Sequence, residues 1–286
     1  MLYVENPASG DGVNRLYIRS QLQDMLEHGH LRIIKTTGND DLETVRDAIR
    51  AQQWDAILIG GGDGTINMVG EAAGDLDVPM GIIPAGSANG LAACLGIRNV
   101  DEAISAISKG HITTIDVLKV DGGLCVHMAD FGFNAGVVKR FAQGGERGMM
   151  AYFKSSLNEF LEMRPYRFLL DIDGQTEEFE AKMLVIANGD RYGTGAVINP
   201  GGSLQDGKFE VIALNPEGLD EMVSVSIALF RETLAAVPSV KIWQAGRAVI
   251  QNVDGAPFQV DGEVKGEPEK TEVVCRSAAL KFFTCR

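Results

Sequence analysis

Through the first 118 residues, short apolar runs alternate with longer stretches whose apolar positions recur every three or four residues. Leu2-Tyr3-Val4, Leu31-Arg32-Ile33-Ile34, Trp54-Asp55-Ala56-Ile57-Leu58-Ile59 and Pro79-Met80-Gly81-Ile82-Ile83-Pro84 read as strands, the third as a buried parallel one. Between them Leu16, Leu22, Met25 and Leu26 predict a helix. Leu42, Val45, Ala48 and Ile49 predict a second over Asp40–Gln52, and Ile66 to Ala73 a third. Strands alternating with helices predict right-handed crossovers and a parallel sheet.

From about Val117 the period changes. Phe168, Leu170 and Ile172 alternate with polar residues, the chain turns at Asp173-Gly174, and it returns through Phe179 to Ile186, which is a hairpin pattern. Further strands are predicted at Lys208–Leu214, Val240–Gln251 and Thr271–Arg276, with helices at Met149–Met163 and Leu219–Leu234. This half predicts a mainly antiparallel β-sandwich.

Three predicted strands of the first half run into polar turns, and these carry the candidate chemistry. They are Asn6-Pro7-Ala8-Ser9-Gly10, Gly60-Gly61-Gly62-Asp63-Gly64-Thr65 and Gly86-Ser87-Ala88-Asn89. In an open parallel sheet the carboxyl ends of the strands share one edge, where ligands sit. Glycines let backbone amides approach a ligand closely, and amides at a helix N-terminus bind anions, phosphate above all. Asp63 within such a turn suits an acid beside Mg²⁺-bound phosphates, an acid that positions a nucleophile, or else a helix cap. In the second half Asp206-Gly207 and Asp261-Gly262 are turn dipeptides, and the second, with Glu263, places two carboxylates around one glycine. Glu263 becomes a candidate general base only if the fold carries it to the phosphate turns.

Composition narrows the field. The 286 residues suffice for two domains, and no apolar run reaches the roughly 18–20 residues of a membrane span. The start, Met1-Leu2-Tyr3-Val4-Glu5, does not read as a signal peptide. Cys94, Cys125, Cys275 and Cys285 lack metal spacing and predict reduced core thiols in a cytoplasmic protein. A formal charge of −13 argues against nucleic acid and against a permanent polybasic membrane anchor. Lys139, Arg140, Arg147 and Lys154 nevertheless offer a local basic contact with a membrane.

The ordered motifs are similar to those of the diacylglycerol kinase catalytic family, the bacterial lipid kinases related to sphingosine and ceramide kinases. They are Asn6–Gly10, Gly61–Asn67, Pro84–Asn89, Phe131-Gly132-Phe133-Asn134-Ala135, Ala187-Asn188-Gly189, Asp206-Gly207 and Asp261–Glu263. The resemblance implies a parallel α/β nucleotide domain of NAD kinase and diacylglycerol kinase type at 1–117, with 278–286 returning to it. A lipid-substrate β-sandwich at 118–277 would follow. It implies γ-phosphoryl transfer from ATP to a lipid hydroxyl, with Mg²⁺ as cofactor and diacylglycerol as the default acceptor. The alternatives are a sphingoid or ceramide-like acceptor, NAD kinase activity, or a catalytically silent lipid- or nucleotide-binding regulator. Carried over by position, Asn6, Ala8, Ser9, Gly10, Thr36 (or Thr37), Gly61, Gly62, Asp63, Gly64, Thr65, Ile66, Asn67 and Ser87 would line ATP. Glu263 would be the base, Asp63 would help organise Mg²⁺–ATP, and Asp206 with the carbonyls of Ser203 and Lys208 would hold a second, structural Mg²⁺. The lipid would lie near Phe131, Phe133 and the 149–163 helix, with transient contact at the inner membrane face; a homodimer is left open. Met68, Gly90 and Val264 depart from the family's usual glutamate, aspartate and proline.

Overall fold

The computed structural model describes residues 1–10, 14–26, 29–133 and 163–286. The chain divides into two compact units, one of Met1–Val117, Arg191–Gly195 and Ser277–Arg286, the other of Leu118–Asp190 and Ala196–Arg276.

In the first unit β1 (Leu2–Glu5), β2 (Arg32–Lys35), β3 (Ile57–Gly61) and β4 (Met80–Pro84) form a parallel sheet in the order β2-β1-β3-β4, beyond which the C-terminal end of the chain pairs Phe282 with Met80. Every residue of β1, β3 and β4 is buried, so their apolar runs do not alternate. The edge strand β2 is largely exposed. Helices α1 (Arg15–Met25), α2 (Asp41–Arg50), α3 (Asp63–Ala73), α4 (Gly90–Cys94) and α5 (Val100–Lys109) complete this unit. Val45, Ala48 and Ile49 are the buried face of α2, as their spacing predicts. In α1 the buried pair is Ile18 and Leu22, and Leu16 stands in solvent. Leu16 lies two residues from Ile18, on another side of the helix, so its apolarity misled the periodicity.

As the chain passes from the first unit to the second, β5 (Ile112–Val120) and β6 (Gly123–Cys125) pair antiparallel. The second unit is the predicted sandwich. One sheet is antiparallel in the order β12 (Val240–Ala245), β11 (Phe209–Leu214), β10 (Met183–Ala187), β7 (Met128–Gly132), β14 (Phe258–Val260), β15 (Glu263–Gly266). The other carries β13 (Arg247–Asn252), β8 (Tyr166–Ile172) and β9 (Gln175–Ala181) beside the first half of β16 (Lys270–Phe283). The core between them is aromatic: Phe131 stacks on Phe258 with centroids 4.2 Å apart and meets Phe168 edge-on at 5.7 Å. Asp173-Gly174 is the β8–β9 turn, with both residues at positive φ, as a two-residue hairpin with right-handed twist requires.

Two expectations are corrected. Val240–Gln251 is two strands in different sheets, separated at Gly246, where the chain turns a corner that an alternating pattern cannot register. Phe131 is fully buried in the sandwich core, so it cannot line a lipid surface. The 149–163 helix up to residue 162, Asn134-Ala135 and the basic cluster at 139–154 lie outside the described residues. Cys94 and Cys125 are buried as expected, but Cys275 is half-buried and Cys285 exposed; none of the four forms a disulfide.

Candidate active site

The three turns of the first unit are tied together by their own side chains. Asn6, following β1, donates from Nδ2 to the Oγ1 of Thr65 on α3 at 3.1 Å, and its Oδ1 accepts the N–H of Ala8 at 2.9 Å. Asp63, the first residue of α3, accepts the N–H of Gly90 at 2.8 Å and of Leu91 at 3.0 Å, the start of α4. Asn89 closes the third turn, its Oδ1 taking the Gly86 N–H at 2.7 Å and its Nδ2 reaching the Gly86 carbonyl at 2.8 Å. Asp63 therefore caps α4 rather than its own helix, whose cap residue is Gly62. The cap needs only the backbone of Gly90, so the departure at this position leaves it intact.

The glycines have a packing reason. A Cβ on Gly86 would stand 2.4 Å from the Cα of Gly62, one on Gly61 2.6 Å from Thr65 Cβ, and one on Gly60 2.3 Å from the Tyr3 hydroxyl. The second and third turns touch backbone to backbone, which any side chain at Gly86 would prevent. Burial, then the nearby Glu5, push the Tyr3 hydroxyl well above its ordinary range, so it packs there protonated.

Other predicted nucleotide residues distribute unevenly. Ala8, Ser9, Gly10 and Ser87 are exposed or half-exposed on their turns, and Gly62, Asp63, Gly64 and Asn67 are half-exposed at the start of α3. As at any helix start, the N–H groups of Asp63 and Gly64 precede the first intrahelical bond, which makes them anion donors. Ile66 and Thr65 are different. Both are buried and both N–H groups bond to the Gly62 carbonyl, at 3.0 Å each, so Ile66 is core and offers a ligand nothing polar. Between the two threonines of the β2 turn, Thr37 is committed: Asp41 accepts its N–H at 2.8 Å and its hydroxyl at 3.0 Å, together with the Gly38 N–H at 2.7 Å. Burial opposes ionisation of Asp41, but these donors outweigh it and hold its carboxyl below the usual range. The Thr36 N–H bonds the Glu5 carbonyl at 2.9 Å.

Sequence reasoning passed over the support of the first turn. The buried Glu5 pairs with Arg19 at 2.9 Å and Arg15 at 3.6 Å, and Arg15 donates to the carbonyls of Pro7 at 2.6 Å and Ser9 at 2.8 Å. A carboxylate closing an otherwise apolar strand, Leu2-Tyr3-Val4-Glu5, was the available signal. The Arg191–Gly195 excursion packs on the third turn; a Cβ on Gly193 would overlap the Ala88 carbonyl oxygen.

In the second unit the Asp261-Gly262-Glu263 segment separates into two roles. Asp261 and Gly262 are the β14–β15 turn, at φ 48° and 86°. The Asp261 carboxylate is buried and accepts the N–H groups of Val126 at 2.8 Å, His127 at 2.9 Å and Met128 at 3.1 Å. Asn188 holds the same segment, donating to the Val126 carbonyl at 2.9 Å. Glu263 is exposed, 61% of its side chain in solvent, with Lys265 Nζ at 2.9 Å. Its hairpin is braced by Gln259, which accepts the Gly262 N–H at 2.6 Å and donates to buried Asp130. Gln259 and Asp130 were not legible as site residues.

Ser203, Asp206 and Lys208 share one turn before β11. Asp206 accepts the Lys208 N–H at 3.0 Å, and Gln244 links Lys208, Asp206 and Glu210. Among the described residues no group of three or more His, Cys, Asp or Glu side chains could hold a metal ion. A cation at this turn would take one carboxylate, carbonyl oxygens and water, an all-oxygen set that fits Mg²⁺.

The two units together define the class: a parallel α/β domain with phosphate-type turns, and an antiparallel sandwich with the fold of diacylglycerol and NAD kinases. A diacylglycerol kinase structure from Bacillus anthracis str. Sterne is similar with a TM-score of 0.75 at 19% identity, over 99% of this chain and 96% of its own. An NAD kinase from Archaeoglobus fulgidus, solved in complex with ATP, has a TM-score of 0.55 at 13% identity, over 99% of this chain and 93% of its own. The diacylglycerol kinase of Mycobacterium tuberculosis (strain ATCC 25618 / H37Rv) is 27% identical, covering 98% of this chain and 94% of the relative. The family model described as diacylglycerol kinase catalytic domain matches residues 1–120, and the one described as YegS C-terminal NAD kinase beta sandwich-like domain matches 128–284. The chain belongs to this family of lipid kinases.

Proposed function

We propose that this protein transfers the γ-phosphoryl group of ATP to the hydroxyl of a membrane lipid, diacylglycerol by default. The observation that carries the reading is the union of three strand-end turns by the Asn6–Thr65 and Asp63–Gly90/Leu91 bonds, which aligns a helix start and glycine backbone on one surface. Phosphoryl transfer asks a protein mainly for positioning and charge stabilisation. Mg²⁺ bound with ATP would neutralise phosphate charge. The chain's own residues do the rest: Ser9, Gly10, Gly62, Gly64, Asn67 and Ser87 bind and orient the nucleotide, and Glu263 takes the acceptor's proton. Asp63 positions the second and third turns and lies beside the phosphates. Its relatives' names support the lipid acceptor, and the ATP-bound NAD kinase of the same fold supports the nucleotide.

The test is ATP consumption with Mg²⁺ over micellar diacylglycerol, monoacylglycerol, phosphatidylglycerol, sphingosine and ceramide, with NAD as control. Turnover with diacylglycerol is expected. Turnover with NAD alone would overthrow the lipid acceptor, and silence with retained ATP binding would favour a regulator.

Asp63→Asn is expected to lower both activity and melting temperature. An amide keeps one acceptor for two N–H donors, and an orphaned donor costs about 1–3 kcal/mol. Full activity with unchanged melting would remove Asp63 from both roles. Asp206→Ala is expected to lower melting and activity together when Mg²⁺ is present. A wild-type melting temperature identical with and without Mg²⁺ would count against an ion at this turn.

A further inference from the structure

Helix α6 (Leu219–Arg231) of the second unit packs on its own unit through Val225 and Ala228 and turns a row of large apolar side chains to solvent. Leu219 is 62% exposed, Val223 56%, Ile227 49% and Phe230 71%. At 3.6 residues per turn these four, with Ser226 and Met222, fill an arc of about 140° that contains no charge. Asp220 and Arg231 flank the arc on one side only. Exposed apolar patches of this kind mark interaction sites.

What covers it follows from three properties. The four side chains expose on the order of 400 Å², about half of the 800 Å² per partner that a standard stable interface buries. A second copy meeting this helix face alone would thus be too small a contact. Ser226 within the arc turns its hydroxyl back into the helix, to the Met222 carbonyl, and Ser224, beyond Asp220 and Arg231, does the same to the Asp220 carbonyl, both at 2.8 Å. Hydroxyls satisfied in this way can enter a medium without water at little cost. Finally, the chain carries a formal charge of −13, which disfavours electrostatic attraction of the protein as a whole to anionic lipid, and the arc itself holds no charge, so this face meets a bilayer through apolar contact.

We propose that α6 lies on the bilayer surface with this arc among the acyl chains, seating the enzyme on the membrane that holds its acceptor. This inference rests on the lipid-kinase reading. No described helix is long and apolar enough to cross a membrane, so surface seating is the form of contact that α6 offers.

Flotation of the full chain with phosphatidylcholine vesicles, with and without diacylglycerol, at low and high salt, tests it. Wild type is expected to float with the neutral vesicles at both salt concentrations. The double variant Ile227→Ser/Phe230→Ser should lose about tenfold or more of its binding, since each side chain forfeits its apolar transfer. Melting should be unchanged, and turnover of a soluble short-chain diacylglycerol retained. Leu219→Ser/Val223→Ser should behave alike. Equal flotation of wild type and both variants would overturn the proposal. So would wild-type binding only to anionic vesicles at low salt, or a wild-type dimer that the variants convert to monomer without altered flotation. Loss of turnover on the soluble acceptor would also overturn it, by assigning the face to the site. If wild type floats, the variants do not, and no lipid is phosphorylated, the docking surface stands and the kinase reading falls.

Discussion

Glu263→Gln is expected to reduce phosphoryl transfer by about 10²–10⁴-fold, the usual contribution of a positioned general base, while ATP binding and melting stay close to wild type. The substitution preserves shape but replaces the carboxylate proposed to accept the proton with an amide that cannot. Stability should hold because Glu263 is exposed and its pairing with Lys265 is a surface contact, which contributes little. Transfer rate, nucleotide affinity and melting measured on one preparation decide the matter. Near-normal turnover would remove Glu263 from the role of base, and a large fall in melting would make it structural.

Its neighbour two residues earlier should behave in the opposite way. Asp261→Ala is expected to lower the melting temperature by on the order of 10 °C, because three buried N–H groups lose their acceptor at about 1–3 kcal/mol each. Those three N–H groups lead into β7, which lies at the centre of its sheet between β10 and β14, so the loss spreads into the sandwich core. Asp261→Asn keeps one acceptor and, as an asparagine, tolerates the left-handed backbone at φ 48°; it should fall between wild type and alanine. A thermal shift of both variants checks the order. Equal melting of all three would mean that the carboxylate contributes nothing to the fold.

The same contrast bears on how sites are read in this family. Asp63 and Asp261 both occur in glycine-rich motifs that invite a catalytic reading, and each proves to be an acceptor for backbone N–H groups elsewhere in the chain. For Asp63 these belong to Gly90 and Leu91, beyond β4, and for Asp261 to residues more than a hundred positions earlier. Neither bond has any local trace. A hydrogen-bond donor supplied by the backbone looks the same whatever residue carries it, so composition cannot reveal the pairing.

The sequence by itself determined the alternation of strands and helices in the first unit, the antiparallel second unit, the Asp173-Gly174 hairpin and the three strand-end turns. These follow from burial period and from turn chemistry, both of which act over a few residues. Only the tertiary structure decided that Gly60, Gly61 and Gly86 are small because Tyr3, Thr65 and Gly62 occupy the space where a Cβ would stand, that Ile66 and Phe131 are core, and that Gly246 is a corner between sheets. It also decided that, of two carboxylates either side of Gly262, one is buried under three N–H groups and the other faces water. The reason is physical: side-chain period records which face is covered, whereas the partner that covers it is chosen by chain segments far apart in sequence, whose meeting no local pattern encodes.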